Sequence, residues 1–266
     1  MPEGHTLHRL ALDLDAAFAG RQVAVSSPQG RFAEAAALLD GSTFDAAMAH
    51  GKHLFCEFAG ERFVHVHLGL IGKFELATAA APVGQVRLRI ATEETAADLR
   101  GPQLCALRTP DEVAAQLARL GPDPLRPDSD PEQAWRRIHR SSKPIAALLM
   151  DQSVLSGVGN VYRAEVLFRL GIAPMTAGTR LSHRRWQRIW DDLTELMPYG
   201  VEHNRIDTIR PEHTPEAMGR EPREDDHGGE VYVYRRNAMP CLVCGTEIST
   251  KVLEGRNLFW CRRCQR

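Results

Sequence analysis

The sequence lacks the features that mark membrane and secreted proteins. It has no apolar run close to the ~18 residues that a membrane-spanning helix needs, so we expect no transmembrane segment. Its first residues lack the basic and apolar regions of a secretion signal. Only 6 of the 266 residues are cysteines, which is too few for a disulfide framework and favours a reducing compartment. We therefore expect a cytoplasmic protein that does not bind membranes.

The chain as a whole also lacks a net positive charge, although its second half has one. The formal net charge is −1 at pH 7, which argues mildly against binding to a polyanion. However, residues 1–130 carry 12 Lys and Arg against 17 Asp and Glu, whereas residues 131–266 carry 21 against 17. We therefore expect any polyanion to be bound mostly by the C-terminal half.

Four of the six cysteines lie in the last 26 residues, in the pairs Cys241-Leu-Val-Cys244 and Cys261-Arg-Arg-Cys264. Two such pairs separated by 16 residues are typical of a structural zinc site, because four thiolates reach one ion and a β-hairpin fits between the pairs. Two disulfides or four unrelated cysteines are alternative interpretations that leave the spacing unexplained. Residues 231–266 also carry seven Lys and Arg against two Glu, so we expect a basic zinc ribbon that binds phosphates.

The pattern of apolar residues changes along the chain and predicts an α+β multidomain protein. A helix over 3–19 is followed by short alternating runs up to about residue 110, which predicts a β-sandwich with a leading helix. Four prolines within 121–131 disfavour helix and strand and indicate a linker. We therefore predict a β-sandwich domain over 1–120, a linker over 121–131, a helical domain over 132–230 whose polar part 203–230 is a flexible loop, and a zinc ribbon over 231–266. Within the helical domain we predict helices over 132–140, 144–152, 160–170 and 182–197.

A glycine-containing loop, Leu155-Ser-Gly157-Val-Gly159-Asn160, precedes one of these helices. The two glycines permit a tight turn, and the helix N-terminus offers free N–H groups to an anion. Asn160 either caps the helix or donates its amide to a phosphate. Such loops are more often only tight turns, but the basic surroundings and Lys143 upstream favour phosphate binding here.

Three polar residues of the N-terminal half invite simpler interpretations. Lys52 is predicted to lie in a turn before a strand, where a lone lysine is usually a solvated charge. His65 and His67 alternate on one face of the next strand, and we expect them to form a half-buried polar surface.

Pro2 follows Met1 directly, and removal of the methionine would expose a secondary amine. An α-amino group has a pKa near ~7.7–8.0, so a sizeable fraction is neutral and nucleophilic at cytoplasmic pH. Condensation with an aldehyde carbon gives a cationic iminium that acidifies the neighbouring C–H bond, and Glu3 is a carboxylate in position for proton transfer. The alternative is that Pro2 and Glu3 only begin a helix, and these residues alone favour it.

Taken together, these motifs resemble those of the formamidopyrimidine-DNA glycosylase and endonuclease VIII family of base-excision repair enzymes. The resemblance extends over the full chain and consists of motifs in one order: Met1-Pro2-Glu3-Gly4, Gly51-Lys52, His67-Leu-Gly-Leu-Ile-Gly72, Lys143, Asp151-Gln152, Gly157-Val-Gly-Asn160-Val-Tyr, and the four-cysteine ribbon with Arg256 ahead of Cys261.

The resemblance implies an N-terminal β-sandwich, a helix-two-turn-helix domain and a zinc ribbon, with DNA bound in the cleft between the domains. It implies that Pro2 attacks C1′ of the damaged nucleotide, that Glu3 transfers protons and that Lys52 contacts DNA near the lesion. Base loss and β,δ-elimination would follow. It also implies that Asn160 and Arg256 bind the phosphate beside the lesion.

Further roles and partners follow from the same resemblance. Lys143 would be a further backbone contact, while Leu70 and Ile71 either fill the hole left by the extruded base or belong to the sandwich core. The partner would be damaged DNA, duplex or single-stranded. We expect a monomer with one structural zinc ion, associated with the nucleoid if the source is bacterial.

The chain departs from the formamidopyrimidine branch at two points. It has Gly4-His5-Thr6 where that branch has an acidic residue. Residues 98–102 also lack the bulky Arg and Phe that fill the void opposite the lesion. We therefore expect the endonuclease VIII branch, with oxidised pyrimidines as substrates. A non-catalytic DNA-damage or abasic-site sensor of the same fold and an RNA-binding zinc-ribbon protein of translation are the rival hypotheses.

Overall fold

The computed structural model describes residues 2–224 and 229–266, which fold into two compact units. The first unit extends to Arg119, and the second begins at Leu120. The α+β multidomain fold predicted from the sequence is confirmed. No helix within the described ranges is both long and apolar enough to cross a bilayer.

The first unit is a sandwich of two antiparallel sheets with a helix at its start. One sheet has the strand order β1-β3-β4-β5-β9 and the other has the order β2-β7-β8-β6. Apolar side chains alternate with half-exposed ones along β7, where Val86, Leu88 and Ile90 are buried, as a strand with one face on the core requires. The elements are α1 (Gly4–Phe18), β1 (Arg21–Gln22), β2 (Ala24–Ser26), α2 (Ala33–Leu39), β3 (Thr43–His50), β4 (His53–Phe58), β5 (Arg62–His67), β6 (Lys73–Thr78), β7 (Val86–Ala91), β8 (Thr95–Arg100), β9 (Leu104–Arg108) and α3 (Pro110–Leu117).

The proline-rich segment expected to be a linker is part of the second unit. Gly121 donates a backbone hydrogen bond to Gln152, and Ser156 donates one to Pro122. Asp123 is completely buried. The prediction of a linker over 121–131 is therefore wrong for its first half, because the prolines shape a segment that packs against residues 152–156.

The second unit is a helical domain built around α6 and α7. Its core contains the large side chains of Tyr162, Trp186 and Ile189, none of which is exposed. The elements are α4 (Pro131–Ile138), α5 (Ile145–Leu148), α6 (Asn160–Arg169), a 3-10 turn (Gly178–Arg180), α7 (His183–His203), a second 3-10 turn (Pro211–His213) and α8 (Pro215–Met218).

The helix α7 is longer than predicted, and the segment after it is structured. The helix includes Pro198 and ends where Asn204 adopts a left-handed φ of 50°. We expected residues 203–230 to form a flexible loop. Instead, residues 204–224 contain the second 3-10 turn and α8, and Thr208 donates a backbone hydrogen bond to Glu230. Residues 225–228 lie outside the described residues.

The last element is the predicted hairpin, formed by β10 (Ile248–Leu253) and β11 (Arg256–Cys261). Its strands pair antiparallel from Ile248 opposite Cys261 to Leu253 opposite Arg256. Leu258 and Phe259 are buried in the same core as α6 and α7. The hairpin is therefore fixed to the helical domain by apolar packing.

Candidate functional site

Pro2 and Glu3 form the start of α1. Pro2 is half-buried, whereas the side chain of Glu3 is completely buried. Glu3 occupies the N-cap position, and its backbone carbonyl accepts a hydrogen bond from Thr6 at 3.0 Å. Its carboxylate makes no capping bond to the helix, although an N-cap side chain normally bonds to the first-turn N–H groups. The carboxylate is therefore buried without a capping bond to α1.

His5 takes the place of the acidic residue found in the formamidopyrimidine branch. It is buried, and burial lowers the pKa of its imidazole to about 4. Its Nε2 lies 3.3 Å from the hydroxyl of Thr6. The start of α1 thus presents one buried carboxylate next to a neutral imidazole rather than two carboxylates.

Lys52 lies in the tight turn between β3 and β4, where His50 pairs with His53. Gly51 supplies the positive φ of 57° at the first turn position, as the two-residue turns that suit hairpins require. Lys52 itself is half-buried.

Three imidazoles lie on the strands that lead away from this turn. Nδ1 of His53 is 2.8 Å from Nε2 of His65, and the ring centroids of His53 and His67 are 5.0 Å apart. Burial lowers the pKa of His53 to about 3 and that of His65 to about 4, and it also lowers the pKa of His67. The charge of Lys52 acts on His67 in the same direction. The expected half-buried polar face is therefore a group of neutral histidines near a cationic lysine.

The turn after β5 carries two exposed apolar side chains. Leu70 is 54% exposed and Ile71 is 81% exposed, so their assignment to the sandwich core is wrong. Gly69 has a φ of +71°, and a Cβ on Gly72 would overlap the carbonyl of Leu68. The two glycines therefore shape a turn whose apolar tip points to solvent. The turn is tied to His67, whose Nδ1 accepts a hydrogen bond from the N–H of Gly69 at 3.1 Å.

Arg100 stands where the formamidopyrimidine branch carries its void-filling residues, but its guanidinium is engaged. It donates to Asp98 at 2.9 Å and to the carbonyl of Val83 at 3.2 Å. Glu75 lies 3.4 Å away on the neighbouring strand. The following residue, Gly101, has a φ of +56° and carries no side chain. This end of β8 therefore offers no free bulky group.

In the second unit, Asn160 is the first residue of α6, and Gly159 is its N-cap. Of the two alternatives for Asn160, the structure excludes the one in which it caps the helix. Its Nδ2 donates to the carbonyl of Asn257 at 3.0 Å. Its Oδ1 accepts from Arg163, which also donates to the carbonyl of Ala146 at 3.2 Å. The amide is therefore held in one orientation, against the residue that follows Arg256.

Arg256 begins β11 and is half-buried. Within residues 2–224 and 229–266 its side chain has no ion pair or hydrogen bond. Lys143 lies near the same hairpin, because its Nζ is 3.7 Å from Oε1 of Glu254 in the hairpin turn. The structure thus brings three of the predicted phosphate contacts, Lys143, Asn160 and Arg256, to one region of the second unit.

Two buried charged residues that organise this unit were not singled out from the sequence. Arg163 is 1% exposed and Glu165 is fully buried. The carboxylate of Glu165 accepts backbone hydrogen bonds from Tyr232 at 2.7 Å and from Val233 at 2.9 Å. The helix α6 is buried on all sides from Asn160 to Phe168, and the only sequence signal was that charges interrupt its apolar residues.

The four cysteines of the ribbon converge as predicted. All four Sγ atoms lie within 4.8 Å of one another, with 3.9 Å between Cys241 and Cys264 and 3.5 Å between Cys244 and Cys261. A tetrahedral zinc site with Zn–S bonds of about 2.3 Å requires Sγ separations of about 3.8 Å. The ribbon is therefore a site for one structural zinc ion.

Comparison with known proteins agrees with this architecture. Residues 1–104 match the formamidopyrimidine-DNA glycosylase N-terminal domain, residues 120–210 match the H2TH domain of the same enzyme, and residues 240–266 match the zinc finger found in FPG and IleRS. Endonuclease 8 1 of Mycobacterium tuberculosis is 50% identical over 100% of both chains. Probable endonuclease 8 2 of Streptomyces coelicolor is 34% identical over 100% of this chain and 94% of its own length. Formamidopyrimidine-DNA glycosylase of Stenotrophomonas maltophilia is 30% identical, with coverage of 88% and 86%.

Solved structures have the same fold. Lactococcus lactis Fpg in complex with an abasic site containing DNA superposes with a TM-score of 0.81 at 21% identity, over 99% of each chain. The same protein in a variant bound to a Fapy-dG containing DNA gives a TM-score of 0.82 at 22% identity, over 100% of each chain. With the full-length relatives, the three domain matches and the zinc ribbon, the chain belongs to the formamidopyrimidine-DNA glycosylase and endonuclease VIII family.

Proposed function

We propose that the chain is a bifunctional DNA glycosylase and AP lyase that excises oxidised bases, preferentially pyrimidines, from damaged DNA. The observation that carries the proposal is the start of α1, where a fully buried Glu3 that does not cap the helix follows a half-buried Pro2. Burial of a carboxylate costs several kcal/mol unless it is paired or hydrogen-bonded, so a buried carboxylate at this position is a candidate for proton transfer. Removal of Met1 places a secondary amine one residue away from it.

The reaction begins with the nitrogen of Pro2. It forms a bond to C1′ of the damaged nucleotide while the glycosidic bond breaks and the base leaves with the bonding electrons. The N–H proton that Pro2 loses passes to Glu3, which then gives it to the sugar ring oxygen as the ring opens, and a cationic iminium remains between Pro2 and C1′. The iminium withdraws electrons from C2′, so that a proton leaves C2′ and the C3′–O bond breaks. A second elimination breaks the C5′–O bond and leaves a gap in the strand.

Lys52 assists these proton transfers. Its ammonium group lies near the imidazoles of His53 and His67. These imidazoles are neutral because burial lowers their pKa values. A neutral imidazole does not compete with Lys52 for a DNA phosphate. An imidazolium would compete for the phosphate and would repel the lysine as well. The local charge is therefore concentrated on Lys52.

The remaining residues hold the DNA in a distorted state. Extruding a base from the duplex costs a few kcal/mol. Leu70 and Ile71, exposed on a turn shaped by two glycines, fill the space that the base leaves. Lys143, Asn160 and Arg256 offset the cost by binding the phosphates beside the lesion.

The preference for pyrimidines rests on Arg100. Its guanidinium is bonded to Asp98 and to the carbonyl of Val83, so it does not serve as a void-filling side chain opposite the lesion. We expect faster cleavage of thymine glycol and 5-hydroxyuracil than of 8-oxoguanine opposite cytosine. Faster cleavage of 8-oxoguanine would refute the preference but leave the glycosylase assignment intact. We further propose that the protein acts as a monomer on duplex or single-stranded DNA.

Borohydride trapping tests the central step. Borohydride reduces the iminium between Pro2 and an abasic oligonucleotide to a stable covalent adduct, which is detected by a mass shift. We expect an adduct with the natural chain that lies on its N-terminal peptide, and none after acetylation of the α-amino group, while Arg62→Ala, a change at an exposed residue of the same unit, retains it. Failure of the natural chain to form the adduct would identify a non-catalytic sensor of damaged DNA.

A further inference from the structure

We infer that the outer face of α4 and the start of α7 forms a second DNA-binding surface, which holds duplex phosphates away from the damaged nucleotide. This inference rests on the proposed function only for the choice of DNA as the partner, because the surface itself needs no lesion. Its members are six exposed arginines, which we call the arginine surface: Arg137, Arg140, Arg180, Arg184, Arg185 and Arg188.

The two stretches that carry these arginines lie side by side. Two contacts join the start of α4 to the start of α7. Nε2 of His183 lies 2.7 Å from Oε1 of Glu132, and the indole N–H of Trp186 donates a hydrogen bond to the carbonyl of Pro131. Beyond the end of α4, Thr179 donates a backbone hydrogen bond to Ser141 at 2.9 Å. The segment from Thr179 to Trp186 therefore lies alongside α4, and the arginine surface consists of the arginines carried by these two stretches.

The surface is predominantly basic, and Glu132, the acidic residue beside it, is bonded to His183. Residues 133–143 and 180–190 contain no Asp or Glu. Within the part of the chain that the structure describes, the six arginines have no ion pair and their guanidinium groups make no hydrogen bond. An ordinary solvated face mixes both signs and forms many i,i+4 pairs. The six guanidinium groups without an ion pair outnumber the acidic residues that flank the two stretches, Asp130, Glu132, Asp191 and Asp192, which indicates that the partner is a polyanion.

The scaffold beneath the arginines is rigid. Trp135 stacks on His139 with ring centroids 5.0 Å apart and contacts His183 at 5.2 Å. A Cβ on Gly178 would overlap the carbonyl of Ile138, so a glycine is needed where the turn before α7 crosses the end of α4. The backbone that carries the arginines is therefore held in place, whereas their guanidinium groups can move. This combination suits binding to a regular array of phosphates.

Continuity with Lys143 favours duplex DNA over other polyanions. Lys143 is the proposed phosphate contact nearest to the surface, and its carbonyl accepts a hydrogen bond from Gly178, two residues before Arg180. A duplex presents one negative charge per ~1.7 Å of its axis and extends beyond the lesion in both directions. An arm of the duplex bound near Lys143 therefore meets the arginine surface next.

The test measures the binding of an undamaged duplex several helical turns long, by fluorescence anisotropy over a series of salt concentrations. The variant Arg137→Ala/Arg140→Ala/Arg184→Ala is compared with Arg21→Ala/Arg31→Ala/Arg119→Ala, which removes three exposed arginines from the first unit. We expect the slope of log K against log salt to fall by about 2–3 in the first variant, since each lost phosphate contact removes ~0.9, and binding at about 0.1 M salt to weaken at least tenfold. The control variant should keep the natural slope.

Folding and catalysis are checked separately. The first variant should bind one zinc ion, retain the natural circular dichroism spectrum and still form the borohydride adduct with a short abasic oligonucleotide. Arg137→Lys/Arg140→Lys/Arg184→Lys should restore most of the slope, because phosphate binding here needs charge rather than a fork of donors. An adduct missing from the natural chain would refute the proposed function without touching the result for undamaged duplex.

Two outcomes would overturn the inference. An unchanged slope, or an equal change in the control variant, would show that the arginines form only a solvated face. Loss of binding to a structured RNA hairpin with unchanged binding to duplex DNA would assign the surface to RNA instead.

Discussion

The side-chain amide of Asn160 donates a hydrogen bond to the backbone carbonyl of Asn257, at 3.0 Å. This bond joins the N-terminus of α6 to the strand of the zinc hairpin that begins with Arg256. Arg163 bonds to the other end of the same amide and so fixes which atom of Asn160 faces the hairpin. Two proposed phosphate contacts, far apart in sequence, therefore depend on one buried guanidinium.

Replacing Arg163 tests this dependence. Arg163→Leu keeps much of the buried volume but leaves the carbonyl of Ala146 and Oδ1 of Asn160 without their donor. We expect the free energy of unfolding to fall by about 2–4 kcal/mol, as is typical when one partner of a buried charged hydrogen bond is removed. DNA binding should weaken at least about tenfold because Asn160 is no longer held. Urea unfolding and anisotropy measure the two effects.

Arg163→Lys provides the control for that experiment. It retains the charge and one donor, so it should recover part of the stability and part of the binding. A large loss of stability with normal DNA binding in Arg163→Leu would show that Arg163 has a structural role only.

Two of the ribbon's arginines, Arg256 and Arg262, are expected to contribute unequally. Arg256 is half-buried and has no partner among the described residues, whereas Arg262 is exposed and lies over the ring of Trp260 at 6.0 Å. Arg256→Ala should weaken binding and excision at least about tenfold, or ~1.4 kcal/mol. Arg262→Ala should change them only slightly. Gel-shift and single-turnover cleavage assays measure both, and equal losses would mean that the ribbon acts as a diffuse positive surface.

Periodicity predicted the elements whose apolar pattern is strong. Leu7, Leu10 and Leu14 recur at helical spacing and are buried on α1, and the Cys241 and Cys261 motifs fixed the ribbon. The strand β3 was missed because its sequence, Thr-Phe-Asp-Ala-Ala-Met-Ala-His, is rich in alanine and does not alternate clearly. The helix α7 continues through Pro198 to His203, beyond the end predicted at residue 197.

The parts of the candidate site that sequence could not predict depend on contacts between distant residues. Arg163 meets Asn257 across 94 positions, and Glu165 meets Tyr232 across 67. Nothing local shows that a charge on a helix is buried and satisfied by another segment. The exposure of Leu70 and Ile71 was equally undetermined, because an apolar pair next to glycines suits a core or a surface turn. Fold and zinc site were therefore predictable, whereas the supporting contacts were not.

Glu254 is expected to compete with DNA for Lys143. Its carboxylate lies 3.7 Å from Nζ of Lys143, and both side chains are more than half exposed. An exposed ion pair contributes little to stability, so Glu254→Gln should leave the unfolding free energy nearly unchanged. It should tighten DNA binding about two- to fivefold at low salt, because it removes a negative charge beside a phosphate contact, and the gain should shrink as salt screens the charge.

A double variant isolates that interaction. In a Lys143→Ala background, Glu254→Gln should give a smaller gain, because the pair no longer exists. An equal gain in both backgrounds would show that Glu254 acts only through the general field of the hairpin.

The histidine group of the first unit should make stability depend on pH. Burial lowers the pKa of His65 to about 4, below its ordinary value near ~6.5. As pH falls through ~6.5, the unfolded chain takes up a proton that the folded chain does not accept until about pH 4. The free energy of unfolding therefore falls with decreasing pH in that range, by about 1.4 kcal/mol per pH unit for each such histidine. His53, with a pKa of about 3, adds to the same slope.

His65→Gln tests the sign and the source of this dependence. The variant removes one of the two histidines that bond to each other at 2.8 Å, and glutamine offers the remaining imidazole of His53 another polar partner. We expect a lower free energy of unfolding than in the natural chain near pH 7. Towards about pH 5 this free energy should fall less steeply, because unfolding takes up roughly one proton fewer. His203→Gln, a change at an exposed residue of the second unit, should leave the slope unchanged. Urea unfolding followed by fluorescence at several pH values measures the slopes, and parallel curves for His65→Gln and the natural chain would contradict a neutral buried His65.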